Sequence, residues 1–291
     1  MKLQRLMVVL DQANRPQTAL KRAERICNDL QTPIELQPVS FLHSSLVENS
    51  AVFGRREQRR IQKMLVERHK SWLQEMQRNH PGLPEVEMVW EHDIAKWVSE
   101  NAGACDLVIK SAHGSKTTRS ATDWALLANC PTNLLLVGHR RVRQPDVVLA
   151  AVDLSNKDVL HQKLNKQVLE ASALMTGISN AKLHTAHAVE VPAPLLDLDV
   201  VSERKAQLTL QKNTQTLRAK LLKPFAVAKK NQHFPVGNIG QAMADCAKDI
   251  KADLLVVGAR ARPVKEALGL GNTAQRIVRK APCDVLVLRL K

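Results

Sequence analysis

With 291 residues, 44% of them hydrophobic and 24% charged, the chain is long enough for two domains and has the apolar content of an ordinary globular protein, which excludes wholesale disorder. Its apolar runs fall short of the ~20 residues that a membrane-spanning helix needs, and the start, Met1-Lys2-Leu3-Gln4-Arg5, leads into neither a long apolar region nor a small-residue cleavage site, so a cytoplasmic protein is expected. The formal charge of +15, divided as +6 over residues 1–143 and +9 over 144–291, draws nucleotides, nucleic acid or anionic surfaces without choosing among them, while 3% aromatic residues and no tyrosine leave few platforms for stacking single-stranded bases.

Taken in chain order, short apolar runs alternate with helical periods. The first half predicts strands near 6–10, 34–42, 85–91, 106–110 and 133–138. Between the second and third lies a basic stretch with Arg55, Arg56, Arg59, Arg60, Lys63, Arg68 and Lys70, in which Ile61, Leu65, Trp72 and Met76 recur at helical spacing. This reads as an amphipathic helix with a solvated basic face. Arg140-Arg141-Val142-Arg143-Gln144-Pro145 is polar and ends in proline, so domains of 1–143 and 144–291 are expected. The second half predicts strands near 146–152, 181–189, 225–229, 253–257 and 284–289, and Leu160, Leu164, Val168, Ala171 and Met175 step as one helix face after Asp153. His184 and His187 fall in one strand at an odd separation, which turns their rings to opposite faces and argues against a shared zinc. His161 is expected in solvent. Five cysteines without a CxxC pair read as buried thiols.

The halves repeat. Met7-Val8-Val9-Leu10-Asp11 returns as Leu149-Ala150-Ala151-Val152-Asp153, Asp106-Leu107-Val108-Ile109-Lys110 as Asp253-Leu254-Leu255-Val256-Val257, and the run from Pro131 as the run from Pro282. The alternation predicts the α/β class: two tandem Rossmann-like domains, each a five-stranded parallel sheet flanked by helices. Two related domains are expected to pair about a pseudo-two-fold axis through their fifth strands, making a pseudo-dimer within one chain.

In such sheets ligands sit beyond the carboxyl ends of the strands. That singles out Asp153-Leu154-Ser155, Gly258-Ala259-Arg260-Ala261 and Gly269-Leu270-Gly271-Asn272-Thr273, the last opening a helix whose N–H groups could converge on an anion. Asn272 or Thr273 as a simple helix cap reads the same residues equally well.

The tail Val256-Val257-Gly258, the later Gly271-Asn272-Thr273 and the closing Lys280-Ala281-Pro282-Cys283-Asp284-Val285-Leu286-Val287-Leu288 resemble the universal stress protein family. Asp106 to His113 and Thr122 to Pro131 are similar to its E-type tandem members. The resemblance implies a five-stranded sheet per domain and, in one branch, an ATP site with an aspartate after the first strand, a GxxG turn after the fourth, nine residues, then Gly-(Ser/Thr). Asp153 and Gly258 match, Ala261 replaces the second glycine, and Asn272 stands at the hydroxyl position. The implied nucleotide contacts are therefore Asp153, Leu154, Gly258, Ala259, Arg260, Gly271, Asn272 and Thr273, with ATP or another nucleotide in the second domain only. In the first half five residues separate the turn from Ser120, which takes the glycine position, so no phosphate cradle is expected there. Trp124 is expected to be a core or interdomain anchor, and His113 is the histidine at the ligand end of that half.

The expected function is stress-response binding and association, with no catalytic constellation and no metal site recognised. The alternatives are a weak ATPase, which needs an acid or metal site that the sequence does not display, and an RNA or anionic-surface binder driven by the basic charge, which predicts steep salt dependence.

Overall fold

The structure is a computed structural model that describes residues 2–30, 32–42, 53–113, 119–138, 145–156, 158–191, 194, 198, 202–260 and 272–290. Contacts divide the chain into two compact units, Lys2–Ala112 with Ala121–His139, and Arg140–Lys291 with His113–Ser120. In the first, β1 (Arg5–Val9), β2 (Glu35–Leu42), β3 (Glu87–Trp90), β4 (Leu107–Ser111) and β5 (Asn133–Val137) lie in the order β3-β2-β1-β4-β5. Every pairing is parallel. Helices α1 (Thr18–Asp29), α2 (Arg55–Asn79), α3 (Ile94–Asn101) and α4 (Ala121–Asn129) connect them. The second unit repeats this order as β8-β7-β6-β9-β10, again parallel throughout. Its strands are β6 (Val147–Ala151), β7 (Lys182–Ala186), β8 (Gln232–His233), β9 (Leu254–Ala259) and β10 (Asp284–Arg289), with α5 (Val159–Ser179), α6 (Glu203–Leu222), α7 (Ile239–Asp249) and α8 (Asn272–Lys280).

The central strands read as unbroken apolar runs because helices cover both faces of a parallel sheet. Leu6, Met7 and Val8 are fully buried, as are Leu107, Val108 and Ile109 in the neighbouring strand, and Val148, Leu149 and Ala150 in β6. The same carboxylate locks the first strand of each unit. Asp106 Oδ2 accepts from the N–H groups of Gln4 (2.8 Å) and Arg5 (3.0 Å), and Asp253 Oδ2 accepts from those of Asp146 (2.9 Å) and Val147 (3.3 Å). Asp93, Asp158, Ser202 and Asn238 cap their helices with side-chain oxygens, each satisfying an N–H that the helix itself leaves open.

Two expectations need correction. The run 225–229 is not a strand: it lies between 3-10 turns at Lys223–Phe225 and Lys229–Asn231. Pro224 removes a donor there and Ala226 takes a left-handed φ of 49°, so the chain turns and the third strand is displaced to β8. Leu160 is exposed, being in the first turn of α5 before its face reaches the sheet, whereas Leu164, Val168, Ala171 and Met175 are buried. On α4 the inward position after Thr122 belongs to Asp123, and Trp124 is half-buried. The basic stretch is helical as expected, with its seven cations exposed and Leu73 and Met76 buried. All five cysteines are free thiols, Cys27 half-buried and the others buried.

Candidate functional site

The strand order reverses direction around β6 and β9, and there the second unit carries a cavity of about 680 Å³ at the carboxyl ends of the strands. Its wall is partly apolar, with Val168, Val189, Met243 and Ile277, and partly polar, with Asp153, Ser155, His161, His187, Glu190, Arg260 and Thr273. Helix α5 packs against β9 at Gly258. A Cβ there would lie 2.5 Å from Leu164 Cγ, so glycine is what lets the helix approach the strand end.

Asp153 is held by its backbone. Its N–H donates to Asn165 Oδ1 at 2.9 Å, and Asn165 Nδ2 donates to its carbonyl at 2.6 Å. The carboxylate stays exposed and accepts from the N–H of Ser155 at 3.0 Å. Beside it, His187 is 3% exposed, and burial holds its ring below the ordinary histidine range, opposed by the Asp153 charge. The ring is therefore neutral, and either tautomer is satisfied. Nδ1–H can donate to Val152 O (3.1 Å) while Ser155 Oγ–H donates to Nε2, or the N–H of Leu154 can donate to Nδ1 (3.3 Å) while Nε2–H donates to Ser155 Oγ (3.1 Å). Across the cavity Arg276 grips Glu190 with two bonds of 3.0 and 2.5 Å, and this contact lowers the Glu190 pKa and raises that of Arg276.

Of the residues singled out in the sequence, Asp153, Gly258, Arg260 and Thr273 line the cavity. Leu154 and Ala259 are buried beside it, and Asn272 opens α8. Gly271 and Ala261 lie outside the described residues. His161 is a correction: it lines the cavity, because the first turn of α5 bends its ring toward Asp158 and Arg260. Ser155, singled out with Asp153, lines the cavity as well, whereas Asn165, His187 and Glu190 were not anticipated. Asn165 had one legible signal, a polar residue next to Leu164 and one turn before the buried Val168 and Leu169.

At the matching place in the first unit the described polar side chains bond to one another and to the backbone. Gln17 brackets the backbone of Asp11 as Asn165 brackets Asp153, accepting from its N–H at 3.0 Å and donating to its carbonyl at 3.1 Å. Where β9 has Gly258, β4 has Ser111, whose hydroxyl donates to Asp11 Oδ2 at 2.5 Å, lies 2.6 Å from Thr18 Oγ1, and accepts from the N–H of Ala19. Lys110 Nζ, next in the strand, donates to Asp123 Oδ1 at 2.7 Å and to Ser111 O at 2.8 Å. Both members of that ion pair are buried.

The model of the universal stress protein family matches residues 146–289, the unit that holds the cavity. By its second unit the chain belongs to the universal stress protein family. Over nearly its whole length it is similar to the universal stress protein E homolog of Haemophilus influenzae, 24% identical over 99% of this chain and 98% of that one. It is also similar to universal stress protein E of Salmonella typhi, 26% identical over 98% and 94%. Among solved structures, one from Pseudomonas aeruginosa UCBPP-PA14 superposes with a TM-score of 0.74 at 21% identity, covering 99% of this chain and 93% of that one. A universal stress protein from Archaeoglobus fulgidus DSM 4304 gives 0.65 at 15%, covering 98% and 96%. These likenesses establish the fold of this stress protein as an α/β arrangement of parallel sheet and helices. Among its described residues no helix is long and apolar enough to cross a membrane, and no group of three or more His, Cys, Asp or Glu is placed to hold a metal ion.

Proposed function

We propose that the chain is a cytoplasmic stress-response binding protein whose second unit takes an adenine nucleotide such as ATP. The cavity carries this reading. Its volume falls in the ~300–1,000 Å³ of small-molecule sites, and it opens where open α/β sheets bind ligands. Val168, Val189 and Met243 offer an apolar wall to a purine, and Asp153 with Ser155 offers acceptors and a donor to a ribose. Arg260, Gly258 and the start of α8 at Asn272 and Thr273 form the phosphate end, where helix N–H groups favour an anion. Leu154 and Ala259 act through their backbone. Calorimetric titration of the full chain with ATP and with adenosine tests this. Binding of both, weakened at least about tenfold by Asp153→Ala and left unchanged by Gln17→Ala, is expected if one hydrogen-bonded ligand group is lost. Equal effects of the two substitutions would contradict it.

A second reading rests on α2, whose Arg55, Arg56, Arg59, Arg60, Lys63, Arg68 and Lys70 are all exposed. Such a ridge suits RNA or another polyanion. It predicts binding that falls steeply with salt and is removed by charge-neutralising substitutions on α2; salt-insensitive binding would exclude it.

A further inference from the structure

We propose that Asp158, His161 and Arg260 form a proton-controlled anion clamp that receives the phosphoryl end of the ligand in the second-unit cavity, an inference that rests on the nucleotide reading above. His161, in the first turn of α5, and Arg260, just past β9, both line the cavity. Arg260 NH1 donates to Asp158 Oδ2 at 3.3 Å and lies 3.2 Å from His161 Nδ1, and that same Nδ1 lies 3.2 Å from Asp158 Oδ2. One ring nitrogen thus faces a permanent cation and a carboxylate. Without a proton it can accept from Arg260; with one it can donate to Asp158; it cannot do both.

Protonation of the ring on both nitrogens settles that choice. Nδ1–H then donates to Asp158, the ring repels Arg260, and the cluster changes from a neutral set of one cation and one anion to a set with two cations. A multiply charged phosphoryl group entering the cavity gains both cations and must displace only Asp158. That carboxylate is held below its usual range, first by the hydrogen bond from His161, then by the N–H of Leu160 and the charge of Arg260, so it stays ionised and competes with the ligand. Among the described residues, the other groups around the ring do not take over the role. Asn156 Nδ2, 3.5 Å from Nε2, is uncharged; the Asp153 carboxylate is engaged with the N–H of Ser155; Glu190 and Arg276 neutralise each other; and Leu164 and Val168 on the same helix are apolar. Ligand affinity should therefore follow whether the ring carries one proton or two.

The test is calorimetric titration of the full chain with ATP and with adenosine at about pH 8 and about pH 6, in wild type and three variants. Because ATP itself gains protons over this interval, the readout is the difference between wild type and His161→Gln. Lowering the pH should tighten ATP in wild type by roughly three- to fivefold over that variant, the size of one exposed ion pair, with adenosine unmoved. Asp158→Asn, which keeps a good helix cap, should tighten ATP at the higher pH. Arg260→Gln should weaken ATP at both while sparing adenosine. An identical pH response in wild type and His161→Gln, or an ATP affinity unmoved by Asp158→Asn, overturns the clamp and leaves the site standing. If neither ATP nor adenosine binds, the nucleotide reading fails and the clamp fails with it.

Discussion

In the first unit the Ser111 hydroxyl reaches from the end of β4 to Asp11 and to the start of α1. In the second, the residue at that place is Gly258, and the aspartate at the end of the first strand turns its carboxylate to solvent. Both units bracket the aspartate backbone with a carboxamide, Gln17 in one and Asn165 in the other. The shared parts are thus the ones that shape the chain at the strand end. The parts that differ decide whether polar groups face each other or a cavity. A duplicated fold can retain its backbone geometry while one copy spends its polar side chains internally, on Ser111, Thr18 and the buried Lys110–Asp123 pair.

The largest way to break this comparison is through that pair. Lys110→Met removes the Lys110 cation from the buried Asp123 carboxylate, which should cost about 3–5 kcal/mol. Urea unfolding followed by hydrogen exchange in the β1 and β4 peptides measures it. Adding Asp123→Leu should recover much of the loss, since an apolar pair of similar volume replaces a desolvated ion pair. A loss of protection confined to second-unit peptides would show that the pair does not hold the first unit.

Next in size is the approach of α5 to β9. Gly258→Ala places a methyl group 2.5 Å from Leu164 Cγ and should destabilise by about 1–3 kcal/mol through overpacking. Leu164→Ala alone opens a cavity and also destabilises. Combined, the two should cost clearly less than their sum in the same unfolding measurement, a non-additivity that contact requires. Simple additivity would mean that the strand end moves to accommodate the methyl.

The smallest effect is with pH. In the second unit burial lowers the pKa of His184, His187 and His233, with His184 Nδ1 and His233 Nε2 2.8 Å apart and their rings parallel; in the first, burial lowers that of His69. A histidine that titrates lower when folded than when unfolded costs nothing while both states are neutral. As pH falls through the ordinary value of about 6.5, the unfolded chain takes up protons first and stability declines, levelling off below the folded pKa. Thermal unfolding between about pH 7.5 and pH 5 should show this decline, and replacing His184 and His233 together with Asn should flatten it. An unchanged slope in the double variant would remove the pair from the account.

The strand positions were legible because central strands of a parallel sheet are continuous apolar runs, and the repeat of Asp106 as Asp253 and of Asp11 as Asp153 marks equivalent ends. The third strand of the second unit was not, because Phe225-Ala226-Val227-Ala228 has the composition of a strand while Pro224 and the left-handed Ala226 bend it away. At the site, the aspartate and the strand-end glycine were readable from their position. His161, Asn165 and His187 were not, since their roles arise where a helix face, a strand end and a loop meet. No local spacing reports that meeting, and His161 in particular sits where solvent exposure is the ordinary expectation.

The central claim is that the nucleotide goes to the second unit and not to the first. Photo-crosslinking of the full chain with an azido-adenine nucleotide, followed by peptide mapping, tests it most directly. The account predicts a single nucleotide per chain, attached to peptides carrying the cavity wall, such as those containing Val189 or Met243, and competed by unlabelled ATP. Labelling of peptides around Asp11 and α1, or two equivalent nucleotides per chain, would contradict it.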